Sequence, residues 1–277
     1  MDTTPEKLYL DLLKKTLAYA FWPEPPVPLE TFNYLRPPVK RRFLAFVSRI
    51  LNRYGFEIVE QYKDTSFEDR AEGKIWPVKA FTMIGLKRLD NLQYAVETVI
   101  QEKIAGDLIE TGVWRGGAVI FMRAVLAAYG IRDRKVIAAD SFEGLPKADV
   151  EKYPADQGDP HHIHEYLAVS LEEVKKNFEK FGLLDEQVEF LKGWFEDTLP
   201  HAPVERLSVL RLDGDMYGST MVALKSLYPK LSKGGFCIVD DYGLKGCKMA
   251  IDDFRREQGI TAEIKKIDWT GIYWRKD

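Results

Sequence analysis

The order of elements predicted from Asp107 onward constrains the fold of this 277-residue chain more than any other feature of the sequence. Apolar runs long enough for single buried strands alternate there with amphipathic stretches at helical spacing. The predicted strands are 107–113, 135–140, 188–192, 207–212 and 236–239, and the predicted helices are 117–129, 171–181, 219–231 and 245–258. This alternation is typical of a doubly wound α/β fold, a parallel sheet covered by helices on both faces. Two short runs at 262–267 and 271–275, around Trp269-Thr270, predict a closing antiparallel hairpin.

The first 85 residues have a different character. Two stretches at helical spacing, 5–21 and 41–53, are separated by prolines, and residues 54–80 mix polar and aromatic side chains. We therefore expect a helical cover region over residues 1–85 and the main domain over 86–277. The sequence leaves open whether 54–80 is a mobile cover over a site or part of an ordinary helical appendage.

The composition excludes several classes of partner. The net charge of −3 creates no long-range field that would attract nucleic acid, so we expect no nucleic-acid partner. No apolar run approaches the roughly 20 residues needed to span a bilayer, so we expect no membrane partner. The charged N-terminus lacks a signal core, and two cysteines make no disulfide framework, so we expect a cytoplasmic protein.

A glycine-containing loop, residues 110–117 (ETGVWRGG), joins the first predicted strand of the sheet to the helix after it. Gly112 permits a sharp turn, and Gly116 and the glycine after it leave room for a ligand against the backbone. The spacing is not the G-x-G-x-x-G of phosphate-binding loops. A carboxylate at Glu110 suits the cationic amino group of a methionine moiety better than a pyrophosphate. A packing turn without a ligand is the alternative interpretation.

A second acid follows the next strand, where it can accept hydrogen bonds from both ribose hydroxyls. This residue is Asp140, and its charge argues against a 2′-phosphate. Together with the glycine loop it favours an adenosyl ligand. After the third strand, Trp194 and Phe195 are placed either to stack on the adenine or to belong to the core.

Four carboxylates are predicted to converge on one edge of the sheet. Asp213 and Asp215 follow the fourth strand, and Asp240 and Asp241 follow the fifth, which should be its neighbour. Charges so close repel unless a cation neutralises them. Oxygen ligands favour magnesium, manganese or calcium. Asp213, Asp240 and Asp241 are the best candidate ligands, and Asp215 is a candidate general base; the alternative is that Asp215 and Asp241 cap helices.

Seven stretches in order along the chain resemble the macrocin O-methyltransferase family, the TylF/MycF/NovP-like enzymes that methylate sugar hydroxyls on antibiotics. They are TMIGLKRLDNLQ (82–93), IETGVWRGGA (109–118), DSFEGLP (140–146), LAVSLEEVKKNF (167–178), FLKGWFEDTLP (190–200), RLDGDMYGST (211–220) and IDWTGIYWR (267–275). Residues 1–60 match less well.

The resemblance implies an O-methyltransferase with the class I, Rossmann-like form of the doubly wound fold, S-adenosyl-L-methionine as methyl donor and Mg²⁺ as metal. In such enzymes the first aspartate of LDGD and the pair of DDY hold the metal, here Asp213, Asp240 and Asp241. The second aspartate of LDGD, here Asp215, is the proposed base. The expected donor-site residues are Thr82, Glu110, Gly112, Val113, Gly116, Asp140, Ser141, Trp194 and Phe195.

Three of the four histidines, His161, His162 and His164, lie close together. The spacing lacks the helical i, i+4 pattern and no cysteine is near, so a polar loop beside the acceptor is favoured over a zinc site. The family often has a histidine near the sugar, which implies that His161 or His162 assists proton transfer; His161 is our predicted catalytic histidine.

The acceptor expected from the resemblance is a hydroxyl of a deoxysugar on a glycosylated small molecule, such as a macrolide. Members of the family also tend to be oligomers, so we expect a homo-oligomer. Two alternatives stay open: methylation of a non-sugar, catechol-like hydroxyl, and a non-catalytic module that binds an adenosyl ligand.

Overall fold

The computed structural model describes residues 4–31, 35–61 and 66–277. Helix α1 (Pro5–Leu17) is capped at its N-terminus by Thr4, whose side chain accepts a hydrogen bond from the Lys7 amide. The remaining elements before the main sheet are strand β1 (Val27–Pro28), helix α2 (Pro38–Asn52), strand β2 (Val59–Glu60) and helix α3 (Phe67–Ala71). Strands β1 and β2 pair with each other in antiparallel fashion.

A seven-stranded sheet forms the centre of the molecule. Its strands are β3 (Asp107–Thr111), β4 (Val136–Asp140), β5 (Val188–Lys192), β6 (Leu207–Leu212), β7 (Leu231–Val239), β8 (Lys265–Lys266) and β9 (Ile272–Arg275). The spatial order is β5-β4-β3-β6-β7-β9-β8. The first five are parallel, whereas β9 runs antiparallel to both β7 and β8. The predicted doubly wound sheet with its closing hairpin is confirmed.

Helices cover both faces of this sheet. They are α4 (Gly85–Gln101), α5 (Gly117–Ala128), α6 (Leu171–Lys180), α7 (Phe195–Thr198), α8 (Tyr217–Leu227) and α9 (Lys245–Glu257). One core lies under α1, α4, α5 and α6, and the other lies under α8 and α9. Because helices cover both faces of the sheet, β6 is buried at every position.

The predicted cover region is partly integrated into this core. Leu10, Leu13 and Leu17 of α1 are buried in the first core, so this helix packs as part of the main domain. Segments 1–3, 32–34 and 62–65 of the predicted region lie outside the described residues. The division at residue 85 therefore stays a prediction.

One boundary differs clearly from the sequence prediction. Helix α8 ends at Leu227, a 3-10 turn follows, and β7 already begins at Leu231. Pro229 cannot donate an amide hydrogen bond, which favours the early end of the helix. Gly234-Gly235, which lie between the predicted helix 219–231 and the predicted strand 236–239, are within β7, where its register against β6 shifts.

No helix in the described ranges combines the length and the apolar character that crossing a bilayer requires.

Candidate active site

A cavity of about 490 Å³ opens at the carboxyl ends of β3, β4, β6 and β7. Ligands of doubly wound sheets bind at this edge, where the loops after neighbouring strands meet. The sequence-predicted residues that line the cavity are Thr82, Glu110, Val113, Asp140, Ser141, His161, Trp194, Phe195, Asp213, Asp215, Asp240 and Asp241. One cavity thus brings together the predicted donor residues and the predicted metal residues.

Asp140 organises the donor side of the cavity. One carboxylate oxygen accepts from the Val113 amide at 2.7 Å, and the other accepts from the Phe142 amide at 2.7 Å. Burial raises the pKa of Asp140 above its usual value, although these amide donors oppose the shift. Each carboxylate oxygen can accept more than one hydrogen bond, so Asp140 keeps acceptor capacity for a ribose.

Gly112 and Gly116 are not among the residues that line the cavity, so their part in donor binding stays a prediction. Gly112 has φ +87°, and a Cβ there would lie 1.8 Å from the carbonyl oxygen of Asp213. At Gly116 a Cβ would lie 2.9 Å from Val174. The space beside each glycine is filled by another part of this protein, so both serve packing between elements.

Glu110 is a buried carboxylate with one oxygen occupied. Its Oε1 accepts from the guanidinium of Arg211, whereas Oε2 has no hydrogen-bond partner among the described residues. Burial raises its pKa to about 7, opposed by Arg211. An unpartnered buried oxygen in a cavity wall needs a donor, and a ligand ammonium group would supply one.

Three carboxylates form a compact cluster on the other side of the cavity. Oxygens of Asp213, Asp215 and Asp241 lie within 4.8 Å of one another. Asp241 also accepts from the Asp215 amide at 3.1 Å, which supports the unusual φ of +55° at Asp215. Burial and the neighbouring carboxylates raise the pKa values of Asp213 and Asp241 well above the usual range. An all-oxygen cluster with this repulsion fits a divalent cation.

Asp240 differs from the other predicted metal residues. Its two oxygens accept from two buried guanidinium groups, those of Arg88 and Arg211. Arg88 also bonds to Asp268 at 2.6 Å, and Arg211 to Asp213 at 2.9 Å. The structure therefore brings Asp215 rather than Asp240 into the carboxylate cluster, because the arginines neutralise Asp240.

The two arginines were missed in the sequence analysis. Arg211 stands within the apolar run LSVLRL and is 1 % exposed. A charged residue inside a fully buried strand is rare without a partner, so the sequence did carry a signal there. Arg88 lies on an ordinary amphipathic helix, where no such signal exists.

Among the clustered histidines, only His161 lines the cavity. Its Nδ1 lies 2.9 Å from both oxygens of Asp159. Burial raises the pKa of Asp215 to about 6, although the nearby His161 lowers it. His162 is exposed, and the ring of His164 packs edge-on against Trp76.

Aromatic side chains also line the cavity, among them Trp194, Phe195 and Trp269. Phe195 packs against the second core, whereas Trp194 is 38 % exposed. Of the two residues predicted near the adenine, Trp194 is therefore the more exposed. Trp269, in the turn between β8 and β9, is half exposed, and its indole N–H donates to the Glu72 carbonyl at 2.8 Å. This bond ties the closing hairpin to the segment after α3.

The sheet order, the closing hairpin and the acid at the end of β4 define a class I methyltransferase. The chain belongs to the macrocin O-methyltransferase (TylF) family, whose sequence model matches residues 6–276. It is therefore a methyltransferase, as the resemblance implied.

Named relatives and solved structures agree with this assignment. A Streptomyces olivaceus protein, 8-demethyl-8-(2,3-dimethoxy-alpha-L-rhamnosyl)-tetracenomycin-C 4′-O-methyltransferase, is 48 % identical over 99 % of this chain and 95 % of its own length. Mycinamicin III 3″-O-methyltransferase of Micromonospora griseorubida is 44 % identical over 99 % of this chain and 98 % of its own. The solved structure of the O-methyltransferase NovP has a TM-score of 0.83 at 44 % identity, covering 98 % of this chain and 99 % of that one.

Proposed function

We propose that this protein transfers a methyl group from S-adenosyl-L-methionine to a sugar hydroxyl of a glycosylated small molecule, with the help of Mg²⁺ or another divalent cation. The observation that carries the proposal is the single cavity that joins Glu110 and Asp140 to the carboxylate cluster. The name of the Streptomyces olivaceus relative specifies a rhamnosyl substrate, which supports a sugar acceptor here.

The donor lies against the ends of β3 and β4 in this proposal. The unpartnered Oε2 of Glu110 accepts from the donor's amino group, and Asp140 accepts from its ribose. Val113, Ser141 and Thr82 supply the adjoining wall. Trp194 stacks on the adenine.

Asp213, Asp215 and Asp241 would hold the divalent cation, with Asp240 beside them. When bound, the cation supplies a Lewis acid that lowers the pKa of an acceptor hydroxyl. The chain's own residues align the hydroxyl with the sulfonium methyl, and such alignment removes a large part of the barrier. Two groups can accept the hydroxyl proton, Asp215 and His161, because both line the cavity.

We also propose that the protein is a homo-oligomer that associates through α2. Four apolar residues of α2 follow at 4-3-4 spacing and are exposed: Val39, Phe43, Phe46 and Ile50. Within the described ranges nothing in the same chain covers this stripe. Exposed apolar patches of this kind mark protein interfaces.

The function is tested by two measurements on the purified protein. Calorimetry with S-adenosylhomocysteine, with and without Mg²⁺, measures donor binding. Mass spectrometry of rhamnosides, other glycosides and catechols, incubated with S-adenosyl-L-methionine, detects a gain of one methyl group. We expect methylated glycosides and loss of turnover with EDTA. If only catechols were methylated, the acceptor would be a catechol-like hydroxyl and not a sugar hydroxyl. If the donor bound but no acceptor gained a methyl group, the proposed methyl transfer would be refuted.

A further inference from the structure

We infer that Trp269 is a specificity-determining residue, whose indole ring is the platform on which the C–H face of the acceptor's sugar packs. The inference rests on the proposed function and assigns the acceptor side of its cavity. Three observations carry it: the place of Trp269 in the sheet order, the bonds that fix the turn around it, and the contacts between this turn and the loop after β7.

The sheet order separates Trp269 from the proposed donor residues. Glu110 and Asp140 belong to β3 and β4, on one side of β6 and β7. Trp269 and Thr270 come from the turn between β8 and β9, on the other side of those two strands, and both line the cavity. The carboxylate cluster follows β6 and β7 and therefore lies between the two sets. A donor held at β3 and β4 leaves the Trp269 end of the cavity to the acceptor.

The turn that carries Trp269 is fixed by the residue before it. The side chain of Asp268 is fully buried, and its Oδ1 accepts from the amides of Thr270 and Gly271 at 3.0 and 2.7 Å. Its Oδ2 accepts from Nε of Arg88 at 2.6 Å. Bonds from an aspartate to amides two and three residues further on hold a turn in one conformation. The main chain therefore places the indole before any ligand arrives, so binding costs little ordering of this wall.

The indole of Trp269 offers a ligand its ring and no hydrogen bond. Its one polar group, the N–H, already donates to the Glu72 carbonyl at 2.8 Å. The residue is nevertheless half exposed in the cavity wall. The face of an aromatic ring is electron-rich and attracts the weakly positive hydrogens of C–H groups. A pyranose presents such hydrogens on the face that carries few hydroxyls, and a deoxysugar adds a methyl group. Trp269 therefore recognises the apolar face of a sugar.

The turn between β8 and β9 also packs on the loop after β7, next to the carboxylate cluster. A Cβ at Gly243 would lie 2.6 Å from the side chain of Thr270, so the loop and the turn are in direct contact. Arg88 joins the same two segments, because its guanidinium bonds to Asp268 and to Asp240. The indole platform is thereby held in a constant position relative to the cluster. A sugar that rests on the platform presents one particular hydroxyl, so the ring controls the position that is methylated.

The test uses the glycoside that the wild-type protein methylates best in the screen of rhamnosides and other glycosides. Trp269→Leu removes the aromatic face and keeps an apolar side chain, whereas Trp269→Phe keeps an aromatic face and loses the N–H. The matched control is Trp22→Leu. Trp22 is exposed to the same extent as Trp269 and is not one of the described residues that line the cavity.

We expect Trp269→Leu to raise the acceptor KM about 10-fold and Trp269→Phe about 3-fold. Binding of S-adenosylhomocysteine, measured by calorimetry, should stay unchanged in both variants, because the donor end of the cavity is intact. A sugar without its platform can tilt, so Trp269→Leu should also give product methylated at a second hydroxyl, which NMR of the product mixture detects. Trp22→Leu should match the wild type in all three measurements.

A second readout needs no turnover. Saturation-transfer NMR of the same glycoside, with protein, Mg²⁺ and S-adenosylhomocysteine, detects which sugar protons lie close to aromatic protons of the protein. In the wild type and in Trp22→Leu, saturation of the aromatic protons should reach the C–H protons of one sugar face. In Trp269→Leu this transfer should fall several-fold.

Two results would overturn the inference. One is an unchanged acceptor KM, with a single product and equal saturation transfer, in Trp269→Leu of an enzyme that methylates glycosides; the proposed function would then stand. The other is loss of S-adenosylhomocysteine binding in Trp269→Leu and Trp269→Phe alike, which would assign the residue a purely structural role. Absence of product from the wild-type protein would instead count against the proposed function itself.

Discussion

At the scale of single residues, Arg211 connects the two halves of the cavity. Its guanidinium bonds to Glu110 on the donor side and to Asp213 and Asp240 on the metal side. Removing one member of a buried ionic network leaves its partners uncompensated, which costs far more than the network itself contributes.

Arg211→Met is therefore expected to reduce the free energy of unfolding by about 3–5 kcal/mol. Urea denaturation of the metal-free protein measures it. The matched control is Arg256→Met, which removes a guanidinium that is 73 % exposed and paired with Asp253; it should cost less than about 1 kcal/mol. Equal losses in both variants would refute the role of the buried network.

The raised pKa of Glu110 predicts a pH dependence of stability. The folded state holds its proton up to about pH 7, whereas an unfolded glutamate releases it near 4.5. Between these values the unfolded state is favoured by ionisation, so stability falls as pH rises, by about 3 kcal/mol over the whole window.

The variant Glu110→Gln should lack this loss. Urea unfolding at several pH values from 4.5 to 7.5 should show the wild-type protein losing stability relative to the variant as pH rises. Parallel curves would show that Glu110 is ionised in the folded protein throughout.

At this scale, sequence alone identified carboxylates but not their partners. The spacing of LDGD and DDY placed four aspartates at neighbouring strand ends, and all four line the cavity. Which of them the arginines neutralise depends on Arg88, an α4 residue whose contact with Asp240 spans 152 positions. The sequence pattern of a single helix or strand cannot predict a contact with a residue so far along the chain.

At the scale of elements, the loop after β3 contacts the turn after β6, and the contact lies between Gly112 and Asp213. A Cβ at Gly112 would overlap the carbonyl oxygen of Asp213. In a variant that carries this Cβ, the loop after β3 or the turn after β6 must therefore move. Gly130 offers a matched control, with φ +65° and nothing within 4 Å of its Cβ position.

Gly130→Ala should cost only the backbone strain of a left-handed alanine, about 1–2 kcal/mol. Gly112→Ala should cost clearly more in urea unfolding and should also weaken S-adenosylhomocysteine binding in calorimetry. If the two variants behaved alike, the contact between the loops would have no energetic weight.

The exposed stripe of α2 leads to a prediction about assembly. Replacing Phe43 and Phe46 by glutamate puts charge into the centre of the proposed interface and should lower the mass measured by light scattering to that of a monomer. Lys40→Gln with Arg42→Gln, outside the stripe on the same helix, should keep the wild-type mass. A monomeric wild-type protein would contradict the assembly.

Element types were predictable because parallel strands and their covering helices have different periodicities. The ends of the elements were less predictable, because they depend on contacts with other elements. The Gly234-Gly235 pair is the clearest example, since two consecutive glycines favour a break in isolation. Here they accommodate the register shift that β7 makes against β6.

At the scale of the whole molecule, cation binding should be visible as stability. A ligand that binds only the folded state raises the free energy of unfolding with its concentration. We expect Mg²⁺ to raise the melting temperature of the wild-type protein and EDTA to reverse the change, with NaCl at equal ionic strength as the control. Asp241→Asn should abolish the increase, and an unchanged increase would exclude Asp241 as a ligand.

The overall fold was predictable because chain order nearly determines it. Right-handed crossovers between adjacent parallel strands leave few arrangements, and the closing hairpin pairs with β7 at one edge of the parallel strands. The cavity was predictable for the same reason, since it lies where strand ends meet. The far wall of the cavity could not be predicted from the strand order, because it includes Trp269 from the last turn of the chain.

The hydrogen bond between the Trp269 indole and the Glu72 carbonyl makes Trp269 usable as a fluorescence reporter. Its ring is half exposed in the cavity wall and cannot swing away without losing the bond. Indole emission moves to shorter wavelength when water leaves the ring, so occupancy of the cavity can be followed by light. The sequence has six tryptophans, and subtracting the spectrum of Trp269→Phe isolates this one. Arrival of a ligand can then be timed separately from the chemistry, without attaching any label.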